Sequence, residues 1–206
     1  MDISLNNISK RFNRETIFSG LSHVFSENNH TVIQGANGSG KSTLLQIIAG
    51  HSEASTGDIK YTHNNKVIEA DQLFRHIAFA APYMELMEEL TLSEHAVFHC
   101  GLKALRAGIH ANDLAELCGL GHVAGKQIRY FSSGMKQRVR LALAILSDTP
   151  FLLLDEPTSN LDEKGILWYQ QLVAMHSSNR LILVCSNNIA QEFNFCSQRL
   201  AMETYK

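Results

Sequence analysis

Residues Gly35 to Ser42 read Gly-Ala-Asn-Gly-Ser-Gly-Lys-Ser, a G-x-x-x-x-G-K-[ST] loop between the apolar run Thr31-Val32-Ile33 and the helix-like Thr43-Leu44-Leu45-Gln46-Ile47-Ile48-Ala49. Gly35, Gly38 and Gly40 let the backbone curl so that several N–H groups face one anion. The helix behind them adds unpaired donors and the positive end of its dipole. Lys41 carries an ammonium to the outer phosphates, and the Ser42 hydroxyl can enter the shell of a Mg²⁺. The ligand these types and spacings imply is a nucleoside triphosphate. Its contacts would come from Gly35, Ala36, Asn37, Gly38, Ser39, Gly40, Lys41, Ser42 and Thr43.

A second group lies far downstream. Phe151-Leu152-Leu153-Leu154-Asp155-Glu156 is an apolar strand that delivers two carboxylates at its C-terminal end, where α/β sheets place their ligands. Asp155 suits Mg²⁺ held through water. Glu156 suits a base that polarises water against a γ-phosphate. Alone, an apolar run ending in two acids is more often a solvated strand end; the upstream loop makes it specific.

These side chains need a scaffold of alternating strands and helices. Ile3, Leu5 and Ile8, then Ile17, Leu21, Val24 and Phe25, recur in short bursts broken by Asn-Asn pairs, which predicts twisted antiparallel strands. A hairpin is expected over Asp58 to Glu69, turning at His63-Asn64-Asn65. From Pro82 to about Leu146 helix formers take over, with helices expected over Ala111 to Leu120 and Met135 to Leu146. Strand runs Phe151 to Leu154 and Leu181 to Cys185 flank a helical Gly165 to His176, the rhythm of a βαβ unit.

Composition bounds the rest. The 206 residues are 45% hydrophobic and 18% charged, an ordinary globular balance, so one domain with an inserted lobe is expected. Eighteen basic against 20 acidic residues, with no basic block, argue against nucleic acid as a partner. No apolar run approaches the ~20 residues that span a bilayer, and no charged and apolar leader opens the sequence. Cys100, Cys118, Cys185 and Cys196 form no C-x-x-C pair, so reduced thiols in a cytoplasmic protein are expected, with Cys185 as core.

Tyr130-Phe131-Ser132-Ser133-Gly134-Met135-Lys136-Gln137-Arg138, shortly before the Asp155-Glu156 strand, resembles the LSGGQ signature of the ATP-binding cassette family. Order and spacing match across nearly the whole chain. Taken alone, Ser-Ser-Gly before an amphipathic segment reads as a helix cap. The resemblance implies an α/β P-loop NTPase core with a mostly parallel sheet, an antiparallel β-subdomain and an inserted helical subdomain. Residues 1–81 and 147–206 would form the core and 82–146 the helical insertion. It implies that Ser132, Ser133 and Gly134 meet the γ-phosphate of ATP bound to a second copy, head to tail. Pro157-Thr158-Ser159-Asn160-Leu161-Asp162 is similar to the family's turn at that interface. Phe12 stands where the family stacks an aromatic on adenine, although a lone aromatic under a hairpin is equally a packing residue.

The implied function is an Mg-dependent ATPase that powers an integral membrane transporter subunit from the cytoplasmic face. Compact exporter subunits, including heme-exporter-type ones, are the resemblance in length. Competing expectations are a soluble assembly ATPase of the iron–sulfur type and a nucleotide-gated binding module with little turnover. A guanine-selecting N-K-x-D motif is not completed at Asn65-Lys66.

Three departures stand out. Asn187 occupies the place of a histidine that contacts the γ-phosphate. Ala81-Pro82 stand where a metal-contacting glutamine is usual. The signature carries Ser133 and Met135 for glycine and glutamine. An amide donates a hydrogen bond but cannot become cationic, so intact nucleotide binding with slow or partner-dependent hydrolysis is expected. His95 and His99, one helical turn apart, offer two metal ligands without a second half. Tyr83-Met84-Glu85-Leu86-Met87 is soft and apolar, fitting either a docking face or packing.

Overall fold

The computed structural model describes residues 1–27 and 29–206. The chain divides into two compact units. The first holds residues 1–79, 149–156 and 177–206, and the second 80–148 and 157–176.

In the first unit, β1 (Asp2–Phe12) pairs antiparallel with β2 (Glu15–Ser26) and with β4 (Thr56–His63), which pairs antiparallel with β5 (Lys66–Ile68). The register of β1 shifts between Leu5 and Ile8, where Asn7 has φ 51°. That bulge moves the inward phase by one residue and so keeps Ile3, Leu5 and Ile8 all buried. Asn64 and Asn65, at φ 51° and 60°, make the expected hairpin turn between β4 and β5, because asparagine tolerates left-handed backbone.

A five-stranded sheet carries the site. Its order is β6 (Ile77–Ala80), β7 (Phe151–Asp155), β8 (Leu181–Ser186), β3 (Thr31–Gln34) and β9 (Gln198–Ala201). The β7–β8, β8–β3 and β3–β9 pairs are parallel. Every residue of β7 and β8 is buried, as continuous apolar runs in a sheet covered on both faces demand. Helix α1 (Lys41–Ile48) follows β3, and α2 (Leu73–His76) precedes β6. Ile3, Phe18 and Phe25 from the antiparallel sheet join Ile33, Leu44, Phe151 and Leu183 in one apolar cluster.

The second unit contains α3 (Leu92–Leu102), α4 (Leu114–Leu117), α5 (Ser133–Leu146) and α6 (Glu163–His176). Helix α3 opens with a capping box: the Thr91 hydroxyl accepts the Glu94 N–H, and the Glu94 carboxylate accepts the Thr91 N–H. The helix expected over Ala111 to Leu120 is broken. A 3-10 turn at Ala111–Asp113 leads into the single turn α4, and Gly119 at φ 69° ends it. Residues 82–91, expected to be helical in texture, form turns and irregular chain.

The second unit also claims α6, which the expected boundaries left in the core. The reason is side-chain contact: α6 packs on α5, its Trp168 indole donates to the Leu117 carbonyl at 2.7 Å, and the Arg138 guanidinium lies over the Trp168 ring. A last short helix, α7 (Ala190–Phe193), follows β8 in the first unit. Among the described residues no helix is long and apolar enough to cross a membrane.

Candidate nucleotide site

Parallel register brings the relevant side chains to one edge. Asp155 pairs with Cys185, and Gln34 with both Ser186 and Ala201. The residues immediately beyond these strand ends, Glu156, Asn187 and Gly35, therefore emerge side by side at the C-terminal edge of the sheet.

The phosphate loop runs from there into α1. Gly40 caps the helix at φ 96°, and a Cβ on it would lie 2.8 Å from Ile17 and 3.0 Å from Phe18, so both conformation and space call for glycine. Asn37 to Thr43 and Glu156 line a cavity of about 310 Å³. Gly35 and Ala36, expected among the ligand contacts, do not line it. Instead the Gly35 carbonyl accepts from Lys41 at 2.7 Å and the Ala36 carbonyl at 3.2 Å.

Lys41 is 5% exposed, and its ammonium has a third partner, Asn187 Oδ1 at 2.7 Å. Asn187 Nδ2 in turn donates to Glu156 Oε1 at 2.6 Å. Only one orientation of the amide serves both neighbours, because an ammonium has donors alone and a carboxylate acceptors alone. A neutral amide thus couples the loop lysine to the acid after β7. The neighbouring Asn188 accepts from Gln34 Nε2 at 2.8 Å, which ties the same turn to the end of β3.

Glu156 has φ 42°; every other described non-glycine residue with positive φ is an asparagine. Its N–H donates to the Cys185 carbonyl at 2.9 Å, which fixes this uncommon conformation and aims the side chain off the sheet edge. Asp155, one residue earlier, is 1% exposed at the strand end. Cys185 is fully buried, as expected, and its thiol donates to the Lys41 carbonyl at 3.4 Å; burial first, then the Asp155 charge, push that thiol well up. Glu203 belongs to no sequence motif, yet its Oε1 accepts the Ala36 N–H at 3.0 Å.

In the second unit, Ser132 is a helix cap in fact: its hydroxyl accepts the Met135 N–H at 3.3 Å. Ser133 and Gly134 form the first turn of α5. A Cβ on Gly134 would sit 2.7 Å from the Asn160 carbonyl, so only glycine lets that turn approach the Asn160 backbone. Ser132, Gly134, His122, Arg138, Asn160 and Asp162 are among the residues lining a cavity of about 490 Å³. The Arg138 guanidinium lies 3.6 Å from the Asp162 carboxylate.

Remaining candidates fall elsewhere. Phe12 ends β1 and is 51% exposed, with the Lys10 ammonium over its ring at 4.8 Å, so it does not pack under the hairpin. Ala81 is buried. His95 is buried too, and His99 Nε2 shares a 2.8 Å hydrogen bond with the Ser147 hydroxyl. Among the described residues no group of three or more His, Cys, Asp or Glu is placed to hold a metal ion.

A family model described as ABC transporter matches residues 18–159. A cytochrome c biogenesis ATP-binding export protein of Chelativorans sp. is 28% identical over 193 residues, covering 92% of each chain. Its counterpart in Xanthomonas campestris pv. campestris is 31% identical, over 80% of this chain and 76% of that protein. A sulfate/thiosulfate import ATP-binding protein of Yersinia pestis is 30% identical, but this chain spans only 60% of it. Among solved structures, a dimeric ATP-binding cassette in a post-hydrolysis state with ADP and phosphate has the same fold, with TM-score 0.79, 23% identity and 97% and 93% of the two chains covered. A glycine-rich loop, an acid pair at the C-terminal end of β7 in the same sheet and a Ser-Ser-Gly helix start, matched along most of the chain by that family model, place this protein in the ABC transporter family as an ATP-binding, ATP-hydrolysing subunit.

Proposed function

We propose that Asn37 to Thr43 cradle the phosphates of ATP, with the Lys41 ammonium exchanging its carbonyl partners for phosphate oxygens. The Ser42 hydroxyl and the buried Asp155 carboxylate are hard oxygen donors that fit Mg²⁺. Bound there, Mg²⁺ supplies positive charge against the phosphate oxygens. Glu156 takes the proton of the water that attacks the γ-phosphoryl group, which leaves as phosphate with ADP as the other product. Asn187 orients Glu156 and stays neutral throughout. Phe12 offers an exposed ring to adenine. Two copies associate head to tail, so that Ser132, Ser133 and Gly134 of one close over the phosphate held by the other, donating from the start of α5.

The observation that carries this reading is the hydrogen-bonded chain Lys41–Asn187–Glu156 beside the phosphate-loop cavity. Alignment over 92% of both this chain and an export protein, against alignment with 60% of an import protein, favours an export partner in the membrane. Tyr83 and Met87, 51% and 44% exposed, supply an apolar face for that partner at the cytoplasmic side. The neutral amide at 187 also favours a second reading, a nucleotide-gated switch with little turnover. The test is association state by light scattering. Glu156→Gln with Mg-ATP is expected to form a stable dimer, and Lys41→Ala to remain monomeric and bind no nucleotide. A Glu156→Gln protein that stays monomeric at saturating ATP would contradict the composite site.

A further inference from the structure

Strand β9 runs beside β3 with Ala201 opposite Gln34, so the 3-10 turn Met202–Tyr205 rises next to the first residues of the phosphate loop. Met202 is fully buried and its Cε lies within 3.6 Å of the point a Gly40 Cβ would occupy, which sets the turn against the loop. From there the Glu203 carboxylate accepts the Ala36 N–H. That N–H and the Gly35 carbonyl belong to one peptide group. The peptide is therefore held on both sides: its carbonyl by Lys41 at 2.7 Å and its N–H by Glu203 at 3.0 Å. The two holds differ in one respect. Lys41 is the residue that must turn toward phosphate, whereas Glu203 owes nothing to the nucleotide.

We propose that Glu203 is a positioning residue for ATP binding: it fixes the Gly35–Ala36 peptide, and so the entry turn of the phosphate loop, while Lys41 serves the phosphates. The inference rests on the ATP-binding reading of the loop. The Ala36 N–H, already committed to Glu203, leaves the cradle to the amides from Asn37 onward, in agreement with the residues that line the cavity. Hydrogen bonds from its own N–H and from Ala36, with Lys41 and Lys206 nearby, hold the Glu203 carboxyl below the usual carboxylate range, so it is an acceptor at neutral pH.

The experiment measures Mg-ATP affinity by calorimetry, and KM and kcat by phosphate release, for the full chain and its Glu203 variants. Glu203→Ala is expected to weaken ATP binding and raise KM about tenfold, with kcat at saturation within about twofold of wild type. Glu203→Gln keeps an oxygen that accepts the Ala36 N–H and is expected to restore affinity to within about threefold. Glu203→Asp, shorter by one methylene, is expected to bind as weakly as the alanine variant and decides the matter if that variant does not fold. Unchanged affinity in Glu203→Ala or Glu203→Asp, failure of Glu203→Gln to restore it, or a fall in kcat at constant KM overturns the inference. A wild-type protein that binds no ATP overturns the reading of the loop itself.

Discussion

Glu156 pays for its position with backbone strain: a side chain bearing a Cβ in the left-handed region costs about 1–2 kcal/mol. The conformation serves its contact, since an extended residue there would continue β7 instead of turning its carboxylate toward Asn187. Replacing Glu156 by glycine is expected to raise unfolding stability by about 1 kcal/mol while abolishing ATP turnover, as read by urea melts and phosphate release. Loss of stability would show that side-chain contacts outweigh the strain. The proposed roles of Lys41, Ser42, Asp155 and Glu156 can be read from the sequence because each sits in a contiguous motif whose chemistry is local. Asn187 was legible only as a departure. Its bridge from Lys41 to Glu156, and the grip of Glu203 on Ala36, depend on the parallel register of β7, β8, β3 and β9, which no local pattern encodes.

The elements of the second unit show where local pattern is outweighed. Helix α5 was readable from its apolar spacing, and its Ser132 cap from residue type. The segment from Ala111 to Leu120 has helix-forming composition, yet Gly119 and the 3-10 start leave one α-turn. Gly134 is fixed by packing, since both its own backbone and the Asn160 carbonyl are main chain and neither can rotate aside. Gly134→Ala is therefore expected to cost roughly 1–3 kcal/mol and to weaken ATP-driven dimerisation, measured by urea melts and light scattering. In α3, burial with the charge of Lys103 and the neighbouring His95 brings the His99 imidazole down to about 4. Between its unfolded value near 6.5 and about 4, the unfolded chain binds more protons at this site than the folded one. Its contribution to stability is therefore lost as pH falls through that window. His99→Gln is expected to make the decline of melting temperature from pH 6.5 to 4 shallower; an unchanged slope would remove His99 as a source.

At the scale of the whole molecule, the α/β class and the insertion of a helical unit were legible from the alternation of strand and helix runs. The assignment of α6 was not, because Trp168 and Arg138 meet only once the chain has folded. The exposed Tyr83 and Met87 give the chain a face for its proposed membrane partner. Serine at both positions is expected to reduce co-purification with that partner while leaving the ATP affinity of the isolated chain unchanged. We propose that the neutral amide of Asn187 leaves nucleotide binding intact and slows hydrolysis. The most direct measurement is steady-state Mg-ATP turnover of the wild type and Asn187→His in parallel, with Glu156→Gln as the blank. An imidazole adds a donor that can carry positive charge toward the developing phosphate charge, so Asn187→His is expected to turn over about tenfold faster than wild type. Equal and brisk turnover in both proteins would contradict the account.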